Sequence, residues 1–577
     1  MSWIIGASGN FTREQIEKIK RFNTNSNFQI NEPNLFVIAG GNIGTLFFSE
    51  TNSENKFIAV GIGIKDQLDQ TKFLTANDWG RITNEEEIQG LNGHFVLLRW
   101  NNNEIKIFTD SLGLRDIYIT RLANGVVLFS TRADWIAKII KAKLNFKEFG
   151  SRWLLFNQIS SKSVFENIER ITVGTKVNIN RLSGEVTTSK FNWQPTFTKI
   201  DYPVLDFSKT LNDFIFFPLI NQQKLSLSLS GGMDSRVILS YLLNSKYRDW
   251  YTHTFGDGNH PDSLVAKKIT SNLGVTHEGI NMSLPEGDSI IQEIADYVSG
   301  TLVNNAASGF LQLRNYNKLV GRNEIIIDGG FGEIWRREFF NRLLITGQKA
   351  LINNNAKEII PYLTIHRANI FNEDVRLEML CGCEEQINNI FSELPRINEI
   401  GIENWVDLFA IKTRLVNYYS HEQTRLDSLV MCYMPFAQPF LLDNIFNISI
   451  EQRKNGKMFR KLIRNNYSPL LKYPLAKGQL SHPFWLNTIQ SRIWNIAYKK
   501  LRLKTYRDNS SERLINSLKT FINDSINSAS TKEAGIYDNN KLINLSQSLH
   551  TGDATAMNIH ELDWWLAFEL FRKSVTR

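Results

Sequence analysis

One short segment constrains the fold of this chain more than any other. Residues 230–235 read Ser-Gly-Gly-Met-Asp-Ser, directly after an apolar segment at 225–229 and directly before an apolar-rich segment that begins near Arg236. A strand, a glycine-rich turn and a helix in this order form a corner where backbone N–H groups and a helix N-terminus meet an anion. We therefore predict a phosphate-binding site here and call residues 229–235 the phosphate loop.

Asp234 adds a carboxylate to this loop. A carboxylate would repel a bare phosphate, so it is best explained as a ligand for Mg²⁺ carried by a polyphosphate. The Walker-type pattern, which ends in Gly-Lys followed by Ser or Thr, is absent from the chain. A glycine-rich turn with a serine cap is the structural alternative.

The pattern of apolar segments predicts an α/β protein of two domains. Short apolar segments separated by Gly, Asn and Asp turns fill the first ~190 residues and indicate packed strands with covering helices. After a polar stretch at 192–203, strand-like segments at 225–229, 251–255 and 324–328 alternate with helical ones, including one at 333–343. This alternation predicts a parallel sheet with a helical extension beyond ~350. The predicted domains are 1–195 and 205–577.

Composition excludes several classes of protein. A net charge of +8 over 577 residues does not argue for nucleic acid as a partner. Cys381, Cys383 and Cys432 are too few for a disulfide framework or a four-ligand zinc site, so we expect a cytoplasmic protein. Apolar segments fall far short of the ~20 residues that span a bilayer, so we predict no signal peptide and no membrane insertion.

Several further motifs follow the phosphate loop in order: Thr252-His-Thr-Phe-Gly-Asp, Asp328-Gly-Gly-Phe-Gly-Glu333, Pro439-Phe-Leu-Leu-Asp443 and Lys477-Gly478. With the phosphate loop, they make residues ~205–480 resemble the PP-loop ATP pyrophosphatases. The resemblance is closer to the asparagine synthetase family with its β-lactam synthetase and lasso-peptide cyclase relatives.

The N-terminal half resembles the glutaminase domain of the same family. Leu91-Asn-Gly-His-Phe and Phe108-Thr-Asp110 follow the family's order of turns and strands, which implies an αββα sandwich of the N-terminal-nucleophile (Ntn) type. Glutamine-dependent members have a cysteine nucleophile directly after the initiator Met, whereas this chain has Ser2, a weaker nucleophile. The family's glutamine-holding segments are also missing. We therefore expect a degenerate glutaminase domain kept for structure.

The resemblance implies roles for individual residues. Asp234 and Glu333 would bind Mg²⁺, and Lys477, Glu333 and Asp234 would be catalytic. The ATP-binding residues would be Leu229, Ser230, Gly231, Gly232, Asp234, Ser235, Phe255, Asp328 and Gly329. Gly330 stands where relatives carry a substrate-handling Glu or Tyr, so the acceptor site must be built differently. Arg336 and Arg337 are candidates for binding pyrophosphate or a substrate carboxylate, and Glu358, His366 and Glu378 for the general base.

The implied function is an ATP-dependent synthetase that adenylates a carboxylate, releases pyrophosphate and joins the acyl group to an amine without hydrolysing glutamine. The substrate would be a small molecule or peptide that bears a carboxylate. Three alternatives stay open: an amidotransferase using ammonia or glutamine, a PP-loop RNA-modifying enzyme, and a non-catalytic nucleotide-binding protein. The sequence leaves the oligomeric state open, a homodimer included.

Overall fold

A computed structural model describes residues 2–22, 26–49, 56–66, 71–191, 193–196, 204–285, 287, 289–501 and 505–576. Two antiparallel sheets with strand orders β11-β9-β10-β1-β3-β2 and β13-β12-β8-β7-β5-β4 form the N-terminal half, and β6 pairs with β5. Their strands are β1 (Trp3–Ser8), β2 (Ser26–Glu32), β3 (Leu35–Gly40), β4 (Leu46–Phe48), β5 (Lys56–Lys65), β6 (Lys72–Phe73), β7 (Asn92–Trp100), β8 (Glu104–Thr109), β9 (Ile117–Arg121), β10 (Val127–Ser130), β11 (Glu169–Ile171), β12 (Thr175–Asn180) and β13 (Val186–Lys190).

Four layers build this half in the order α, β, β, α. Alternate residues of both sheets, such as Ile4, Val60 and Ile107, meet in an apolar core between the sheets. The outer face of the first sheet is covered by α1 (Arg13–Lys20) and α4 (Ala133–Ile140), and that of the second by α2 (Ala76–Arg81) and α3 (Glu85–Gln89). The sandwich expected from the sequence is therefore present.

A five-stranded, fully parallel sheet organises the second half, in the order β16-β15-β14-β17-β18. The strands are β14 (Leu225–Ser228), β15 (Trp250–Phe255), β16 (His277–Ile280), β17 (Ile325–Ile327) and β18 (Met431–Tyr433). The central strand, β14, is followed by the phosphate loop. A separate antiparallel hairpin pairs β19 (Leu475–Lys477) with β20 (Leu480–His482). The predicted parallel sheet is confirmed.

Helices make up most of the rest of the described chain. They are α5 (Phe146–Leu154), α6 (Val204–Ile220), α7 (Asp234–Leu243), α8 (Pro261–Leu273), α9 (Ser289–Gly300), α10 (Phe310–Asn315), α11 (Asn341–Thr346), α12 (Gln348–Ile352), α13 (Ala356–Leu363), α14 (Glu373–Glu393), α15 (Ile397–Ile400), α16 (Ile402–Ala410), α17 (Ser420–Leu426), α18 (Pro439–Leu442), α19 (Ile450–Arg453), α20 (Lys457–Tyr467), α21 (Thr488–Lys500), α22 (Ser510–Ser517), α23 (Lys519–Asn527), α24 (Ala529–Lys532), α25 (Asn539–Thr551) and α26 (Ala556–Thr576). A nine-residue π-helix, Ile411–Tyr419, joins α16 to α17.

The prediction of one helix at 333–343 is wrong. A 3-10 turn covers Gly332–Ile334, and α11 begins only at Asn341. Arg337 and Phe340 between them have φ values of 58° and 50°, which a continuous right-handed helix cannot contain. Arg336 and Arg337 make ion pairs with different elements, Asp234 and Asp407, so the backbone turns between them.

The two halves share apolar cores. One core combines Ile62 and Leu114 of the sandwich with Phe214 and Leu227 of the second half. The predicted division at 195–205 stays a prediction, and residues 192 and 197–203 of that stretch lie outside the described residues. Within the described chain, no helix combines the length and apolar character needed to cross a membrane.

Candidate nucleotide and catalytic site

The phosphate loop connects β14 to the N-terminus of α7 at the carboxyl edge of the parallel sheet. The Ser235 hydroxyl lies 3.1 Å from the backbone nitrogen of Ser230 and 3.0 Å from its Oγ, which closes the loop on itself. Met233, the residue before α7, makes no side-chain cap. The first N–H groups of a helix have no intrahelical acceptor, so this uncapped start is suited to an anion.

The backbone of Gly231 bonds to residues of two other elements, α8 and β19. Its N–H donates to Asp262 Oδ1 at 2.8 Å, while its carbonyl accepts from the backbone nitrogen of Ala476 at 2.9 Å. A Cβ at position 231 would lie 2.6 Å from the Cβ of Ala476. Only glycine allows this approach, which brings the β19–β20 hairpin against the phosphate loop.

A chain of ion pairs joins Asp234 to Lys477. Arg336 donates to both carboxylate oxygens of Asp234, at 2.6 and 2.7 Å, and its NH1 lies 2.7 Å from Glu338. The other oxygen of Glu338 lies 3.1 Å from Lys477 Nζ. The tertiary structure therefore gathers Asp234 and Lys477, which are 243 positions apart, around Arg336 and Glu338.

Burial and neighbouring carboxylates both disfavour the charged form of Asp234. Burial raises the pKa of Asp234 to about 6, with the nearby carboxylates of Glu333 and Glu338 adding to the rise and Arg336 opposing it. Arg336 and Lys477 pair with the carboxylates of Asp234 and Glu338, and Arg460 also interacts with Glu338. The side chain of Lys477 is half exposed, so its ammonium group reaches solvent.

The signature loop, residues 328–333, packs directly on the start of α7. A Cβ at Gly329 would lie 2.8 Å from the nitrogen of Ser235, and one at Gly332 would lie 2.5 Å from Cγ of Asp234. Asp328 accepts from the N–H of Gly330 at 2.7 Å, and burial raises the pKa of its carboxyl group. These glycines allow the loop to place Glu333 beside the metal-ligand candidate Asp234.

The donor set fits a magnesium ion carried by a polyphosphate. Mg²⁺ is usually held by one or two carboxylates, with phosphate oxygens and water completing the shell. Glu333 lies close enough to Asp234 to raise its pKa, so these two carboxylates are the candidates for this role. In the described part of the chain, no group of three or more His, Cys, Asp or Glu side chains could hold a metal ion by itself. Arg336 neutralises the charge of Asp234 in this structure, and the Asp234 carboxylate would bind both Arg336 and the metal ion.

Other predicted site residues lie around this corner with different partners. Both backbone polar groups of Leu229 bond to residues of β15. Its N–H donates to the carbonyl of His253 at 2.8 Å, and its carbonyl accepts from the Thr254 hydroxyl. The ring of Phe255 lies 4.4 Å from that of Tyr316, between centroids. Burial raises the pKa of Tyr316, and Asp328 is among the nearby charges that contribute.

Several candidates have other partners. Arg337 is buried and pairs with Asp407 rather than facing the phosphate loop. Glu358 bonds the Asn355 side chain near the start of α13, and His366 lies 3.2 Å from Glu561. Sequence reasoning missed Glu338, and no motif signals it, since its role depends on contacts with Arg336 and Lys477.

Ser2 is fully buried at the junction of the two halves. Its hydroxyl contacts Thr45 Oγ1 and donates to the backbone carbonyl of Asp427 at 3.0 Å. The Asp427 carboxylate lies 3.0 Å from Arg115 and 2.9 Å from His94. A loop of the second half therefore fills the space beside the Ser2 hydroxyl.

Residues 218–317 match the asparagine synthase family model. The match covers the phosphate loop, β15 and β16 but not Glu333 or Lys477. No curated protein is significantly similar to the chain in sequence.

Three of the solved structures that match this chain show how distant the likeness is. Glutamine phosphoribosylpyrophosphate amidotransferase from B. subtilis, complexed with ADP and GMP, is 9% identical over 49% of this chain and 91% of its own, with a TM-score of 0.23. An allosteric regulatory enzyme of purine biosynthesis is 10% identical over 60% and 78%, with a TM-score of 0.22. NMN synthetase from Francisella tularensis is 15% identical over 40% and 94%, with a TM-score of 0.17. At these scores the likenesses carry no argument about function.

Proposed function

We propose that this protein is an ATP-dependent synthetase that activates a carboxylate as an acyl-adenylate and transfers the acyl group to an amine. One observation carries the proposal. The uncapped helix after β14 meets a cluster in which Arg336 joins Asp234 to Glu338 and Lys477 pairs with Glu338. The asparagine synthase match over 218–317 supports an ATP-dependent, amide-forming synthetase in general terms.

In the first step a carboxylate oxygen of the substrate attacks the α-phosphorus of ATP. The bond between the α-phosphorus and its bridging oxygen breaks, and pyrophosphate leaves with the negative charge. The phosphate loop and the start of α7 would bind the phosphates, while Lys477 and Arg336 would stabilise the leaving group. Asp234 and Glu333 would hold Mg²⁺, which when bound supplies further positive charge at the polyphosphate.

In the second step an amine nitrogen attacks the acyl carbon, AMP leaves, and the nitrogen loses a proton. The amine would come from the same substrate, as in β-lactam synthetases and lasso-peptide cyclases, or from a second molecule. A glutamine-derived ammonia is disfavoured because the Ser2 hydroxyl is sealed between Thr45 and the Asp427 carbonyl. The N-terminal half then serves as a structural support for the synthetase half.

Exchange of labelled pyrophosphate into ATP tests the first step without knowledge of the amine. We expect exchange that depends on an added carboxylic acid and on Mg²⁺, with no glutamate released from glutamine. Lys477→Ala should lower exchange by about 100-fold or more, as removal of one charge-stabilising group does. Lys472→Ala is the matched control, since Lys472 is an exposed lysine just before the hairpin.

Two results would contradict the proposal. If no acid supports exchange while nucleotide still binds, the protein is a nucleotide-binding protein without this activity. If ammonium or glutamine is needed for product, the amidotransferase alternative holds.

A further inference from the structure

A cavity of about 600 Å³ lies where the two halves of the chain meet. Its walls come from α1 and α4 of the sandwich and from α9, α23 and α26 of the second half. Its lining, as far as the chain is described, includes no residue of the phosphate loop, the signature loop or the β19–β20 hairpin. Ligand sites in proteins typically measure about 300–1,000 Å³. This space, which we call the junction cavity, therefore has the size of a ligand site separate from the catalytic corner.

The floor of the junction cavity is apolar and is built by both halves. Its side chains are Phe22, Ile139, Ile291, Ala295, Phe521 and Leu570. Phe22 and Ile139 pack with the core on the outer face of the first sheet, and the other four pack with the core around α26. All six are buried or partly buried. A flat surface such as a bilayer cannot reach them, whereas an alkyl chain that enters the cavity can.

Five basic side chains surround this floor, and none of the described residues that line the cavity is acidic. The basic residues are Lys18, Arg21, Lys138, Lys141 and Lys573. A neighbouring cavity of about 530 Å³ differs, because its three arginines share the lining with Glu293 and Asp296. These two acids pair with those arginines. The positive charge of the junction cavity, in contrast, is not neutralised from within its lining, so the cavity is suited to an anion.

Groups outside the lining reduce this charge only in part. Glu14 lies 2.8 Å from Lys18, and Glu569 lies 3.1 Å from Lys573. The other three cations make no ion pair within the described part of the chain. Three helices, α1, α4 and α26, also end beside the cavity, and each helix C-terminus carries about half a negative charge. Five cations against two acids and three helix ends leave roughly one to two positive charges, which matches one singly charged anion.

We propose that the junction cavity binds a free anionic amphiphile, namely a medium-chain alkyl carboxylate. The alkyl chain lies on the apolar floor, where removal of its surface from water supplies most of the binding free energy. The head group meets Lys138 and Lys141, two cations without an acid partner among the described residues, at the C-terminal end of α4. A charge-assisted contact of this kind selects an anionic head over a neutral or cationic one. The site is additional to the proposed synthetase activity and does not depend on it.

Calorimetric titration of the full-length protein with hexanoate, octanoate and decanoate tests the assignment, at concentrations below those at which they form micelles. Affinity should rise by about fourfold for each added methylene, as long as the chain still finds apolar surface. Octanol and octylamine carry the same chain without the negative charge, and each should bind at least about tenfold more weakly than octanoate. Affinity that is independent of chain length, or equal binding of octanoate and octanol, overturns the assignment.

Two variants locate the binding in the cavity. Ala295→Trp places an indole on the floor from α9 and should abolish octanoate binding, because the ring occupies the space of the alkyl chain. The double variant Lys138→Gln, Lys141→Gln should weaken octanoate by about tenfold and leave octanol unchanged, since it removes only charge. Lys349→Gln is the control, because Lys349 is an exposed lysine of α12 outside the cavity.

The lysine variants change side chains at the rim of the cavity and leave its apolar floor intact, so they test the site even if Ala295→Trp does not fold. Octanoate affinity that is unchanged in the lysine double variant, or in a folded Ala295→Trp protein, overturns the assignment. Sedimentation with phosphatidylglycerol vesicles separates a free ligand from a membrane. Vesicle binding without octanoate binding would overturn the assignment and identify the basic residues as a membrane-binding surface.

Discussion

Asp427→Asn removes a buried charge that joins the second half of the chain to the N-terminal sandwich beside Ser2. Asp427 is fully buried, and its carboxylate lies 3.0 Å from Arg115, also fully buried, and 2.9 Å from His94. Breaking a buried ion pair costs about 3–5 kcal/mol because one charge is left without its partner. The substitution keeps the side-chain volume, so no cavity adds to this cost.

Arg115 does not lose every acceptor in this variant. Its guanidinium still donates to the carbonyls of Ser2, at 2.7 Å, and Thr424, at 3.3 Å. We therefore expect the lower end of the range, a loss of about 3 kcal/mol in the free energy of unfolding. Urea unfolding followed by tryptophan fluorescence measures this loss.

A double-mutant cycle with Arg115→Met isolates the pair. Because both charges are then removed, the double variant should be more stable than the sum of the single losses predicts, by about 2 kcal/mol. Glu373→Gln serves as the control, since Glu373 pairs with Arg376 on an exposed helix face and its loss should leave the urea midpoint unchanged. A loss below about 1 kcal/mol for Asp427→Asn, or a coupling near zero, would refute this reasoning.

Three further changes test other parts of the structure. Burial lowers the pKa of His253 to about 3, so the unfolded chain, with a value near 6.5, takes up the proton first as the pH falls. Between pH 7 and pH 4 the free energy of unfolding of the wild type should therefore fall by about 3 kcal/mol more than that of His253→Gln. Urea unfolding at each pH measures both values, and an equal fall in the two proteins would contradict the prediction. Gly332→Ala would place a Cβ 2.5 Å from Cγ of Asp234, so we expect pyrophosphate exchange to fall about 100-fold. Gly258→Ala, with nothing within 4 Å of its added Cβ, should keep normal exchange. Ser2→Cys should release no glutamate from glutamine, because the side chain is fully buried; measurable hydrolysis would show that the space beside it opens.

Much of the fold follows from local sequence patterns. The apolar segments at 225–229, 251–255 and 324–328 became β14, β15 and β17, because short apolar segments between glycine-rich turns bury well in a parallel sheet. The single helix predicted at 333–343 is absent because of tertiary contacts. Its apolar spacing is helical, but the ion pairs of Arg336 and Arg337 with Asp234 and Asp407 require backbone turns that break the helix.

The strand, the glycine-rich loop and the helix around Ser230 can be predicted from the local sequence, because this arrangement needs only neighbouring residues in the right order. The sequence could not show which charges meet across the chain. Lys477 reaches Glu338, and Ser2 reaches the Asp427 carbonyl. These outcomes depend on how distant elements pack, because ion pairing is decided by distance in space and by burial rather than by separation along the chain.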